Sequence, residues 1–168
     1  MVEICTSANE DIATQPRKPL TNKGEDMGLD QHAHLRGTKV DWEKYYNEDD
    51  YGDKNNIFVW RKHARLQEFM AKKWADQNPA IKTEGFLAHL GFNGDQEAPC
   101  YLTKEVVEEL GEQIQKGFSD YHAEDGFFWG QQFQEESVKE YKEQDIKFLK
   151  FCEQAISEGK VVEYWCSW

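Results

Sequence analysis

The closing stretch from Glu135 to Trp168 reads EESVKEYKEQDIKFLKFCEQAISEGKVVEYWCSW, and two different periods meet inside it. Val138, Tyr141, Phe148, Leu149, Cys152 and Ile156 recur at threes and fours, the spacing of one face of a helix, which predicts a helix over about Glu135 to Glu158. Gly159 can take the left-handed conformation that ends helices. Val161 to Trp168 then has the β-branched and aromatic content of a strand. A helix stopped by glycine and followed by a strand points to the α+β class.

Asp145 is the anomaly of this stretch, because it stands in the middle of the apolar stripe. An isolated charge is prohibitively unstable in a core, so its carboxyl has to be paired, hydrogen-bonded or neutralised. Two readings follow. Asp145 is a catalytic acid or base, or it makes a structural hydrogen bond to Trp129, to a tyrosine or to a backbone amide. A histidine neighbour such as His63 would sharpen the first reading, although His63 on its own helix stripe also reads as an ordinary core histidine.

Working outward, Gly126-Phe127-Phe128-Trp129-Gly130 sets three bulky rings between two conformationally free residues. Upstream, Thr103 can cap a helix carrying Val106, Val107, Leu110 and Ile114 on one face, with Gly117 as its stop. Gly85 to Phe92 is a short apolar run that reads as a strand before the Asn93-Gly94 turn. Across Asn56 to Asn78, Val59, His63, Leu66, Phe69, Met70 and Trp74 form one helical stripe, with Pro79 beyond its end. Thr38 to Asn56 is acidic and broken by Gly52, and reads as an extended or irregular excursion. Met27 to Leu35 alternates apolar and polar residues, the signature of a half-buried strand. Residues 1–26 are polar, carry Pro16 and Pro19, and offer too little apolar surface to offset the entropy of ordering, so they read as a disordered or extended tail. Met27 could itself serve as a start. The expectation is thus one α+β domain over 27–168, with about three helices packed on a small, mainly antiparallel sheet.

Composition restricts the function classes. At 168 residues the chain has the size of one domain with a real core, and its 14% of aromatic residues predicts a core rich in rings. The formal charge of −12 would repel a phosphate backbone, so direct nucleic-acid binding is not expected. Acidity of this kind usually serves as a solvated surface, or it docks on a basic partner. It clusters between Asp41 and Asp53, and Asp49, Asp50, Tyr51 and Asp53 are candidate binding residues beside the exposed-ring candidates Phe127, Phe128 and Trp129. Cys5, Cys100, Cys152 and Cys166 show no zinc-knuckle or redox spacing, which suits reduced thiols. No apolar stretch approaches membrane-helix length, and the first 26 residues lack the hydrophobic centre of a signal peptide. The expected location is the compartment of synthesis, with no membrane partner.

His32 and His34 lie two apart, so a strand places both imidazoles on one face with Asp30 and Arg36. Asp30, His32 and His34 could hold a divalent metal such as zinc or manganese if other elements completed the ligand set. The plain alternative is the polar face of an edge strand with no cofactor. Phosphate loops, nucleophile elbows and His-Glu-x-x-His helices are absent from the sequence, and the acidic run lacks the glycine and closing glutamate of an EF-hand.

Four places together resemble a group of small proteins of tailed bacteriophages, many from marine and cyanobacterial hosts. They are Met27-Gly28-Leu29-Asp30, Trp60-Arg61-Lys62-His63 with downstream Trp74, Gly126 to Gly130, and the closing element with Tyr141, Lys142, Asp145, Phe148 and Tyr164 to Trp168. This chain departs from the group where Trp165-Cys166-Ser167-Trp168 separates two rings that the group places together, and in its N-terminal tail. The resemblance implies a phage origin and the cytoplasm of an infected bacterium, and it brings no catalytic residues. Two functional readings stand: an acidic interaction protein that binds and modulates a host or defence protein, and a small metal-assisted hydrolase using Asp30, His32 and His34 with Asp145 as base. A minor virion component is a third.

Overall fold

The structure, a computed structural model, describes residues 28–47, 56–80, 98–122 and 134–167. Its strands are β1 (Asp30–Leu35), β2 (Phe58–Arg61), β3 (Cys100–Tyr101) and β4 (Val162–Ser167), which form one sheet in the order β2-β1-β4-β3. All three pairings are antiparallel, as expected. The two central strands come from opposite ends of the described chain and pair over six residues, from Asp30 with Ser167 to Leu35 with Val162.

Because side chains alternate along a strand, this register assigns whole faces. Gln31, Ala33, Trp60, Tyr164, Cys166 and Cys100 share the inner face, and all six are buried. The outer face carries Asp30, His32, His34, Glu163 and Trp165.

Five helices stand among the described residues: α1 (Trp42–Asn47), α2 (Ala64–Gln77), α3 (Lys104–Gln115), α4 (Gln134–Glu140) and α5 (Lys142–Ser157). The expected three become five for two local reasons. Helix α1 lies inside the excursion read as irregular. The closing helix is divided at Tyr141, whose φ of −94° and ψ of 4° leave the helical region. There the Tyr141 ring stacks on His63 at 5.5 Å, and its hydroxyl accepts the Arg61 N–H at 3.0 Å.

The helix predicted over Asn56 to Asn78 begins only at Ala64, since Phe58 to Arg61 is strand β2. Asn56 and Lys62, with φ of 55° and 58°, flank that strand, and a right-handed helix does not run through a left-handed residue. His63 then caps α2, its Nδ1 accepting the Leu66 N–H at 3.4 Å. The other boundaries follow the sequence: Thr103 caps α3 by accepting the Val106 N–H, and Gly117 and Gly159 take φ of 61° and 68°. Past α5, Lys160 N–H bonds Ala155 O and Gly159 N–H bonds Ile156 O, which closes the end as a Schellman motif.

Helices α2, α3 and α5 cover the inner face with Leu66, Phe69, Met70 and Trp74, with Val106, Val107 and Leu110, and with Phe148, Cys152 and Ala155. Rings dominate this core as expected: Trp60, Tyr164, Phe69, Phe118 and Phe148 are its largest fully buried side chains, joined by Leu29, Leu66 and Leu110. Trp60 meets Phe148 edge-on at 4.9 Å. No helix among the described residues is long and apolar enough to cross a membrane. The expected tail over 1–26 and the expected strand Gly85 to Phe92 lie outside the described residues.

Candidate functional site

Polar groups gather in two places, one inside the core and one on the outer face of the sheet. Inside, Asp145 is 3% exposed and faces the β2–α2 junction. Its Oδ1 accepts the Trp60 indole N–H at 2.8 Å, and its Oδ2 lies 3.0 Å from His63 Nε2. His63 Nδ1 already accepts a backbone N–H in capping α2, so Nε2 carries the proton and donates it to Asp145. The buried acid therefore does stand beside His63, and Trp60 supplies its second donor, while the Trp129 alternative lies outside the described residues.

The network continues through Gln31, whose amide forms a reciprocal pair with the His63 backbone: Oε1 accepts its N–H at 2.9 Å, and Nε2 donates to its carbonyl at 3.2 Å. Gln31 Nε2 also donates to the Tyr164 hydroxyl at 2.7 Å, which donates to Gln67 Oε1 at 2.6 Å. Gln67 in turn donates to the Cys166 sulfur at 3.2 Å. Every group in this chain of contacts has a partner, which is the condition for a buried polar network to stabilise a core. Cys100, Cys152 and Cys166 are buried and form no disulfide among the described residues. Burial pushes Cys100 up to about 12, so it stays protonated and unreactive.

On the outer face, strand alternation brings His32 and His34 together as the sequence predicts, their rings stacked at 5.5 Å. The connector after β1 folds over them and sets Trp42 edge-on to His32 at 5.1 Å. Between connector and sheet lies a cleft of about 620 Å³ lined by His32, His34, Thr38, Val40, Trp42, Glu163 and Trp165, a volume within the range of ligand pockets.

The chemistry of the cleft is specific. His34 Nδ1 lies 3.0 Å from the Leu35 carbonyl, and a carbonyl only accepts, so Nδ1 carries a proton and donates it there. Burial, with a smaller contribution from His34, pushes His32 down to about 4, which keeps it neutral at physiological pH. Glu163 sits directly across the strand pair from His34, with its side chain 10% exposed and 3.5 Å from the Nε of Arg36. Arg36 is 66% exposed and reaches over the Tyr101 ring at 5.7 Å. The Trp165 indole N–H is buried and has no hydrogen-bond partner among the described residues.

Asp30 shares the outer face but lies 3.8 Å from Arg61, and it does not line the cleft. Among the described residues, no group of three His, Cys, Asp or Glu side chains is arranged to hold a metal ion. Asp49, Asp50, Tyr51, Asp53, Phe127, Phe128 and Trp129 lie outside the described residues. Sequence reading set Arg36 on the face of the two histidines but missed Glu163, Trp165 and Trp42 as members of the same site. Alternation in the last strand does set Glu163 and Trp165 on one face, but only the β1–β4 register brings them to the two histidines. Comparison with protein-family models, curated proteins and solved structures returns no match to this chain.

Proposed function

We propose that this chain is a phage-encoded, acidic interaction protein that binds a host or defence protein in the infected cytoplasm, and that the outer-face cleft is where it engages. The cleft itself carries the reading: it sets two aromatic walls and a carboxylate on the sheet face opposite the helix-covered core. Large, rigid rings beside a few oriented polar groups are the composition of binding hot spots. The charge of −12 favours a basic partner and steers encounter with it. The resemblance of the chain's motifs to those of tailed-phage proteins is what supports the proposed origin. In this reading Asp145 and His63 serve the fold, since their bonds go to Trp60 and to the cap of α2.

Capture from infected-host lysate at near-physiological salt tests the proposal, with full-length wild type beside Trp42→Ala. Trp42 is 47% exposed, so its removal alters the cleft more than the core. A specific host protein retained by the wild type and reduced severalfold with Trp42→Ala is the expected result. Equal recovery with both proteins, or no specific protein with either, contradicts it.

One observation favours the hydrolase as a second reading: the paired imidazoles, with the His34 tautomer fixed by Leu35, resemble metal ligands with an oriented outer contact. Zinc or manganese would then raise the unfolding midpoint of the wild type and leave His34→Ala unchanged. A midpoint indifferent to both metals removes this reading.

A further inference from the structure

The occupant of the cleft can be read from its hydrogen-bonding inventory, given the interaction reading above. Its lining sets one full acceptor, the Glu163 carboxylate, beside the imidazoles of His32 and His34 in a cavity between Trp42 and Trp165. A phosphate or carboxylate ligand would meet Glu163 as a like charge. A ligand made of donors is needed, and its flat faces should suit indole. The guanidinium group supplies five N–H donors in a rigid plane, stacks on aromatic faces and keeps its charge in all ordinary conditions.

The protein already shows this chemistry within itself. Arg36 extends from the end of β1, covers the Tyr101 ring and brings its Nε to 3.5 Å from Glu163. It does so while two-thirds exposed, so it holds the rim of the site without filling the cavity.

We propose that the cleft receives an arginine side chain of the partner protein, which displaces Arg36 from Glu163. Arg36 is then an internal competitor that shields the carboxylate until the partner arrives. The arrangement makes recognition specific for a planar cation rather than for positive charge in general.

Calorimetric titration of the full chain with N-acetyl-arginine amide, and with the uncharged N-acetyl-citrulline amide of nearly the same shape, tests the inference. The arginine compound should bind at least about tenfold tighter than citrulline, since only the cation forms the charge-assisted bonds. Glu163→Gln should lose that preference. Arg36→Ala, at an exposed position, should bind severalfold tighter than wild type because the competitor is gone. Equal binding of the two compounds overturns the inference, and so does weaker binding by Arg36→Ala, which would make Arg36 part of the recognition surface. If Glu163→Gln does not fold, the Arg36→Ala result decides alone. A host protein that is captured through Trp42 but not released by excess N-acetyl-arginine amide overturns this inference and leaves the interaction reading intact.

Discussion

Asp145 sits where a helix stripe should be apolar, and its two oxygens spend their bonding on Trp60 and His63. Removing one partner of a buried charged contact leaves the other exposed to a medium that cannot solvate it. Asp145→Asn preserves shape but faces His63 Nε2–H with a donor or deprives Trp60 of its acceptor. It should destabilise the fold by about 3 kcal/mol in urea unfolding; a change within experimental error would show that the network contributes little. His32 makes a pH-dependent contribution of determinate sign. Burial, then His34, lowers it from 6.5 to about 4 in the folded protein, so below pH 6.5 the unfolded chain takes up the proton first. Stability is complete above about 6.5 and falls as pH drops toward 4, by up to about 3 kcal/mol. Unfolding midpoints of wild type and His32→Gln across that window check it, and the mutant should show the shallower loss. Asp145 was legible as an anomaly because its neighbours at threes and fours are apolar. Its partners were not, since Trp60 and His63 lie more than 80 residues away and only packing selects them.

At the scale of elements, end signals were legible where one residue determines the geometry. Gly159 closes α5 with φ of 68°, and a Cβ added there would meet nothing within 4 Å. Gly159→Ala therefore isolates backbone strain and should lower stability by about 1 kcal/mol in the same urea assay, without changing the cleft. A neutral substitution would show that the α5 terminus relaxes to a different cap. Reading failed where two periods overlap. Phe58, Val59 and Trp60 continue a helical stripe toward Leu66 but also suit a strand, and the left-handed turn at Lys62 decides for the strand. Lysine gives no sequence signal for positive φ. The turn is fixed by long-range bonds, with Lys62 N–H to Leu29 O and Ser137 Oγ to Lys62 O. Division of the closing helix at Tyr141 has the same origin, a contact with the β2–α2 junction rather than a breaker in the sequence.

For the molecule as a whole, pairing of β1 with β4 does two things at once. It completes the inner sheet face that carries Gln31 and Tyr164, and it assembles the outer cleft from His32 and His34 on one strand and Glu163 and Trp165 on the other. Truncation after Gly159 removes a central strand, so it should abolish cooperative unfolding and near-ultraviolet dichroism; a truncated chain that keeps both would contradict this topology. The site was only half legible for the same reason, because register between distant strands is not written in either strand alone.

The claim that the cleft is the working surface is tested most directly by the indole N–H resonances of the ¹⁵N-labelled protein on adding the captured host protein. Trp42 and Trp165 line the cleft, whereas Trp60 and Trp74 donate to Asp145 and to the Ala98 carbonyl. The expected result is that the first two resonances shift or broaden while the second two hold their positions. Binding that leaves Trp42 and Trp165 unmoved would contradict the claim.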